Sequence, residues 1–340
     1  MSQPLVVLPL LLLAGCCTFS APTWQGPVTD HFDGERFWPP SREERGLGDL
    51  LRWQRSRGPR PEWKGDPTAP PGPPPPRRVG LGELRVTFVN HATVLLQQDS
   101  VNVLTDPIWS KRCSPLDFAG PARVRPPGLR FEDLPRIDAV LLSHDHYDHM
   151  DLPTLRRLVR AFPRARLYTG LGNAAFLRRA GLRHVTELDW WQEVHVGRST
   201  LIGVPAQHFS NRGLCDRSGT LFLGFVLKGP AGAVFFAGDT GYSEHFAEIK
   251  RRLGPMRLAV LPIGAYKPEW FMAPVHLSPG QAVQAAEDLG AGTSLAMHFG
   301  TFQLGDEGEG EAQEALGHAL VGKPERFWIL GFGEGRDVPR

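Results

Sequence analysis

Neither sign of charge dominates this chain: 38 Lys and Arg stand against 36 Asp and Glu over 340 residues, a formal net charge of +2. A balance that close gives no electrostatic reason to expect a nucleic-acid partner. The apolar run Leu5 to Ala14 is too short to span a bilayer. No Gly-x-Ser-x-Gly strand-turn-helix elbow is present and no cysteine sits in a reactive context, so covalent catalysis has no candidate nucleophile. There is no repeat of fixed period. What is present is a 41% hydrophobic content, enough for a large core as one big α/β domain or two smaller ones, and incompatible with disorder of the whole. Arg156, Arg157, Arg160 and Arg164 surround Leu155, Leu158, Val159 and Phe162 at helical spacing, which reads as the solvated face of an amphipathic helix.

The run Ser143-His144-Asp145-His146-Tyr147-Asp148-His149-Met150 packs three imidazoles and two carboxylates directly behind the apolar stretch Ile137 to Leu142. His144 and His146 are two apart, so at an extended strand end their rings leave the same side. The turn that follows brings Asp148 and His149 to a second position. One short loop can then ligate two metals. Imidazole nitrogen with carboxylate oxygen suits a borderline divalent ion, Zn2+ first, with Mn2+ or Fe2+ accepting the same donors.

At the N-terminus, Leu13-Ala14-Gly15-Cys16 closes the apolar run and resembles a bacterial lipoprotein signal. It implies removal of residues 1–15, lipidation of Cys16 and a membrane-anchored protein of the cell envelope. Cys17, Cys113 and Cys215 then remain, too few for a disulfide framework, although a Cys113–Cys215 bridge is permitted in an oxidising compartment. Residues 16–81 read as an arm laid over the main domain, aromatic but without clean periodicity, with a helix about Asp49 to Trp53 and a stiff polyproline spacer from Pro67 to Pro76. From residue 82 to 340, β-rich runs alternate with helical patterns, which indicates one layered α/β domain. The strands are expected at 85–89, 93–96, 101–104, 139–142, 199–204, 221–227, 233–237, 258–261 and 294–297. A helix opens at Asp151 with Pro153 behind it, and Ser278-Pro279-Gly280-Gln281 has the form of a capping box.

Three further ligand-type residues, His208, Asp239 and His298, stand just past the ends of expected strands. Ligands at the carboxyl ends of several strands converge on one edge of the sheets, where a layered α/β fold places its active site.

The order His-x-His-x-Asp-His followed by His, Asp and His resembles the metallo-β-lactamase superfamily, whose fold is a four-layer αββα sandwich. More narrowly, the chain is similar to the N-acylphosphatidylethanolamine-hydrolysing phospholipase D family and its bacterial relatives. That likeness runs through His31-Phe32-Asp33-Gly34, Asn90-His91-Ala92-Thr93, Leu104-Thr105-Asp106-Pro107, Val204 to His208, Phe236 to Tyr242, Leu261 to Tyr266, Trp270-Phe271-Met272 and His298 to Phe302. It implies that His144, His146 and His208 hold one metal, that Asp148, His149 and His298 hold a second, and that Asp239 bridges them.

Two divalent ions about 3.5–4 Å apart share and acidify a water and offer Lewis-acid contacts to a scissile oxygen. Asp148 and Asp239 are then the catalytic carboxylates, Asp148 also orienting the nucleophile. His91, Asp106 and Ser143 are candidates to hold the outer nitrogens of ligating imidazoles. Tyr266, Trp270 and His276 are candidate substrate contacts. Phe209, Trp190, Trp191, Phe271, Met272 and Phe299 serve either as core or as an apolar pocket wall. The expected partner is a phospholipid or another small ester, hydrolysed at the phosphodiester of N-acylphosphatidylethanolamine to N-acylethanolamine and phosphatidic acid. A lactonase or small-phosphoester hydrolase, and an envelope metal-binding module without catalysis, stay open as alternatives, as does the oligomeric state, a dimer among the options.

Overall fold

The computed structural model describes residues 19–323 and 326–340; the expected signal segment 1–15 and the expected lipidation site Cys16 lie outside the described residues. The arm carries helix α1 (Leu47–Ser56). The expected stretch 49–53 is extended by two residues at its start and three at its end. The main domain opens with β1 (Leu84–Asn90), β2 (Thr93–Gln98), β3 (Val101–Thr105) and β4 (Ala139–Leu142), followed by α2 (Leu152–Ala161), β5 (Arg166–Gly170), α3 (Asn173–Arg179) and β6 (Val185–Leu188). Next come β7 (Glu193–Val196), β8 (Ser199–Val204), β9 (Gly224–Gly229), β10 (Gly232–Phe236), α4 (His245–Leu253), β11 (Leu258–Pro262), α5 (Glu269–Met272), α6 (Pro279–Asp288), β12 (Thr293–Met297), α7 (Glu311–Ala319), β13 (Phe327–Trp328) and β14 (Gly335–Asp337).

Two seven-stranded sheets result, ordered β14-β1-β2-β3-β4-β5-β6 and β13-β12-β11-β10-β9-β8-β7. The period-two alternation of side chains builds the layers. Val94, Leu96, Val103, Ala139 and Leu141 join the core shared with the other sheet, whereas Leu95, Leu104, Val140 and Leu142 turn outward onto Leu155, Leu158 and Leu177 of α2 and α3. On the far side, Phe246 and Ile249 of α4, Ala282 and Val283 of α6 and Leu316 of α7 cover the second sheet. Both faces of each sheet are thus dry, which accounts for strands read as apolar runs. The architecture is the expected αββα sandwich.

The capping box is present: the Ser278 hydroxyl accepts the Gln281 amide at 3.3 Å and Gln281 Oε1 accepts the Ser278 amide at 3.0 Å. Residues 221–223, expected to begin a strand, lie outside β9, whose ladder starts at Gly224. There the Leu223 amide donates to the Ser143 carbonyl at 3.0 Å, tying this segment to the metal-ligand loop rather than to a strand. Cys113 is a buried free thiol, so it makes no bridge with Cys215. The proline run is laid on the domain rather than hanging as a spacer: the Gly72 amide donates to the Gly128 carbonyl at 2.7 Å, and Gln97 Nε2 donates to the Pro76 carbonyl at 2.8 Å. None of the helices among the described residues is long and apolar enough to cross a membrane.

Candidate functional site

β3 and β4 are parallel neighbours, as are β10, β11 and β12, and β8 reaches the same polarity as β10 through antiparallel β9. The carboxyl ends of all these strands therefore open on one edge. Asp106 follows β3, the His144–His149 loop follows β4, His208 follows β8, Asp239 follows β10 and His298 follows β12. Three of the residues gathered there adopt left-handed backbone without being glycine: His91 (φ 46°), Asp106 (φ 31°) and His298 (φ 62°). Such conformations persist only where surrounding structure enforces them. Here each turns a side chain sharply off the strand end, and the His298 amide donates to the His91 carbonyl at 2.8 Å to lock two of the turns together.

One nitrogen cluster comprises His144, His146 and His208. His144 Nε2 lies 2.8 Å from His146 Nδ1, and His208 Nε2 lies 3.3 Å from the same atom. Nitrogens bound tetrahedrally at about 2.0–2.1 Å to zinc stand about 3.3–3.4 Å apart, so the triad is close to the spacing a metal needs. Its outer hydrogen bonds assign the tautomers. His208 Nδ1 donates to the Val275 carbonyl at 2.9 Å, which leaves Nε2 as the free lone pair. Ser143 Oγ donates to Asp106 Oδ2 at 2.6 Å and so accepts from His144 Nδ1 at 2.9 Å, again leaving Nε2 free.

The second cluster is built around two carboxylates. Asp148 Oδ2 lies 3.2 Å from His149 Nε2 and 3.4 Å from His298 Nε2. Asp239 Oδ2 lies 3.2 Å from His149 Nε2, 3.1 Å from His298 Nε2 and 3.9 Å from His208 Nε2, so one oxygen faces both clusters. Asp106, fully buried, takes His149 Nδ1 at 2.7 Å and the Ser143 amide at 2.8 Å. That one carboxylate sets the tautomer of an imidazole in each cluster.

Electrostatics divide the two groups. Burial, reinforced by neighbouring imidazoles, holds His144 and His208 well below the ordinary histidine range, and burial brings His146 down to about 4. Neutral imidazoles are the ligating form. Burial opposes protonation of His149 and His298 too, but Asp239, Asp148 and, for His149, Asp106 outweigh it. His149 is held well above its usual value and His298 rises to about 9. Burial would raise Asp148 and Asp239, yet His149 chiefly holds both carboxyls well down. The carboxylates thus demand positive charge, which a divalent cation would supply in place of those protons. His149 Nε2, His298 Nε2 and Asp239 Oδ1 are buried without hydrogen-bond partners. Orphaned donor atoms of this kind, facing one another, fit a metal ion.

His91 holds Asp148 Oδ2 through Nε2 at 2.9 Å. His276 is also brought to the site, with Nδ1 3.8 Å from Asp239 Oδ2 and its ring 5.2 Å from that of His208. Tyr266 is buried and makes no hydrogen bond or ring contact with the clusters, and Trp270 is 38% exposed beside α1, where Arg52 lies 4.9 Å over its ring. Phe209 is a wall of the site, its ring 4.7 Å from His146 and 4.9 Å from His208. Trp190 instead stacks on His31 of the arm at 4.2 Å.

Two participants escaped the sequence reading. Arg212 donates from Nη1 to the carbonyls of Asp145 at 2.6 Å and Met150 at 3.0 Å, bracing the ligand loop from beneath. Gln207, beside ligand His208, exchanges two hydrogen bonds with the Ser41 backbone at 2.7 and 2.8 Å, so the arm holds the site's rim. Arg212 has no periodic signature; its position four residues beyond His208 was the only clue.

Residues 101–299 match the beta-lactamase superfamily domain. An uncharacterized Mycobacterium tuberculosis protein is 42% identical over 257 residues, 74% of this chain and 68% of its own length. N-acyl-phosphatidylethanolamine-hydrolyzing phospholipase D 1 of Caenorhabditis elegans is 39% identical over 232 residues, 65% of each chain, so this chain spans just under two thirds of that protein. In fold, the chain is similar to Igni18, a metallo hydrolase of Ignicoccus hospitalis, with a TM-score of 0.57 at 20% identity over 76% of this chain and 99% of that one. With its two His/Asp clusters on the expected sheet edge, the chain belongs to the metallo-β-lactamase superfamily as a metal-dependent hydrolase.

Proposed function

We propose that this hydrolase is a two-metal phosphodiesterase of the phospholipase D type, cleaving N-acylphosphatidylethanolamine to N-acylethanolamine and phosphatidic acid. The position of Asp239 Oδ2, within 3.1–3.9 Å of nitrogens from both clusters, carries the two-metal part of the reading. On this reading His144, His146 and His208 hold one ion, Asp148, His149 and His298 hold the other, and Asp239 lies between them, with zinc favoured by the nitrogen-rich donors. Two such ions supply an acidified water and Lewis-acid contacts to the phosphoryl oxygens. Hydrolysis at phosphorus would break its bond to the ethanolamine oxygen, which leaves protonated as the hydroxyl of N-acylethanolamine while the hydroxyl from water stays on the phosphatidic acid.

The chain's own residues do the positioning. Asp106 and Val275 fix ring tautomers, His91 steadies Asp148, and His276, with Nδ1 buried and unpartnered, is free to meet a substrate oxygen. The lipid part draws on the likeness to the worm enzyme and on the exposed side chains of Leu47, Leu50 and Leu51 on α1, next to Trp270. A face of that composition suits the edge of a bilayer, as does anchoring through a lipidated Cys16. Incubating the purified, zinc-loaded protein with N-acylphosphatidylethanolamine vesicles tests the reading by mass spectrometry. Both products are expected, and a chelator stops their release; if neither product forms, the reading is wrong.

A further inference from the structure

We propose that Arg217 is a phosphate-binding residue at the mouth of the site, an inference that rests on the phosphodiesterase reading above. The buried floor is formed by His144, His149, His208, Asp239 and His298, whereas His146, Asp148, Phe209 and His276 are partly exposed and define the open side. Arg217 stands over that open side, its guanidinium 4.1 Å above the Phe209 ring, which itself packs on His146 and His208.

The contrast with nearby arginines is what points to a ligand. Arg212 is buried and donates from Nη1 to two carbonyls, and Arg123 donates to the carbonyls of Ser110 and Ile108 at 2.8 and 3.1 Å. Arg217 is half-buried, yet among the described residues it makes no hydrogen bond and no ion pair within 4 Å. The acidic group that acts on it is Glu44 of the arm, which lies 3.9 Å from Arg36. The contact over the Phe209 ring holds the guanidinium at 4.1 Å but uses none of its five N–H donors. A planar fork of unused donors is suited to bidentate recognition of a phosphate.

The residue is also held in place. The Phe37 amide donates to the Ser218 carbonyl at 2.8 Å, the Trp24 amide to the Gly219 carbonyl at 2.8 Å, and the Ser218 amide to the Ser210 carbonyl at 2.8 Å. The backbone on the C-terminal side of Arg217 is thereby pinned between the arm and the residue after Phe209. Little ordering is left to be done when an anion arrives.

One chemistry has two sources here, the scissile phosphodiester of the substrate or the headgroup phosphate of a neighbouring phospholipid. Zinc-loaded wild type, Arg217→Gln and Arg217→Lys, checked for equal metal content and circular dichroism, are compared on soluble bis(p-nitrophenyl) phosphate and on phosphatidylglycerol vesicles. If Arg217 meets the scissile group, KM for the soluble diester rises about tenfold to a hundredfold in Arg217→Gln with kcat changed far less, and Arg217→Lys recovers part of it. If it meets a neighbouring headgroup, vesicle binding weakens by a similar factor while the soluble KM stays put. Should wild type hydrolyse no phosphodiester, the phosphodiesterase reading fails, and the vesicle comparison together with inorganic phosphate affinity still decides the role of Arg217. Unchanged KM, phosphate affinity and vesicle binding in Arg217→Gln overturn it.

Discussion

Asp106→Asn isolates charge from shape at the residue on which both clusters depend. The side chain is fully buried and accepts from Ser143 Oγ at 2.6 Å, the Ser143 amide at 2.8 Å and His149 Nδ1 at 2.7 Å. An amide of the same outline keeps one acceptor oxygen and turns an NH2 toward the remaining donors. Ser143 Oγ and His149 Nδ1 share Oδ2 while the Ser143 amide uses Oδ1, so an NH2 at the Oδ2 position deprives His149 and, through Ser143, His144 of the acceptor that keeps Nε2 free, and an NH2 at the Oδ1 position opposes the Ser143 amide and leaves the other two bonds without the carboxylate charge. Loss of such an outer carboxylate costs about tenfold to a hundredfold in metal affinity, which is about 1.4–2.7 kcal/mol. Folding of the metal-free protein suffers less than that comparison suggests. Burial raises the Asp106 carboxyl above its ordinary range before His149 and Ser143 draw it back, so the charge is costly without a cation beside it. Competition with a chelating dye reads zinc affinity, and thermal unfolding of apo and loaded protein separates the two effects. Wild-type zinc affinity in Asp106→Asn would refute the argument that this carboxylate fixes the ligands.

Two further outcomes follow from local geometry. His31 joins the arm to the domain by donating from Nε2 to Asp189 at 2.8 Å, with Nδ1 donating to Asp30 at 2.5 Å when the ring is protonated; burial lowers its pKa, but the two carboxylates outweigh burial and the net shift is upward. A raised folded value means the contribution is complete below about pH 6.5 and fades as pH rises through the folded pKa, so amide protection of Trp38, corrected for intrinsic exchange, falls from pH 6 to pH 8, and His31→Gln removes the dependence. Gly238 has φ +60°, and a Cβ there would lie 2.4 Å from Ser143 Cβ. Gly238→Ala should therefore cost about 1–3 kcal/mol in urea unfolding and lower bound metal per chain; a change under about 0.5 kcal/mol would show that the two loops can separate freely.

The two His/Asp clusters were legible because they depend on local order. His144 to His149 form one short turn, and His208, Asp239 and His298 each follow an apolar run that could only be a strand, so topology brings them together without any long-range information. Asp106 and Ser143 were legible for the same reason, each one step past a strand. The arm was not. Trp24, Phe32 and Phe37 form an aromatic cluster with ring centroids 4.6–5.4 Å apart, and Trp53 Nε1 donates to Asp306 Oδ2 at 2.5 Å. Such contacts are set by the surface the arm meets, not by a period within the arm. Trp270 shows a related limit: proximity in sequence to His276 does not fix direction, and a four-residue helix carries Trp270 outward to α1 while the chain returns His276 to the His/Asp clusters. Cys113 shows the converse limit, since compartment chemistry permits a bridge that three-dimensional position denies.

The central claim is a single dinuclear centre bridged by Asp239. Metal content of the zinc-saturated protein by plasma mass spectrometry, paired with X-ray absorption to give the metal–metal distance, tests it most directly. The account predicts two ions per chain about 3.5–4 Å apart, and about one ion in Asp239→Asn. One ion in the saturated wild type, or two ions with no short metal–metal vector, would contradict it.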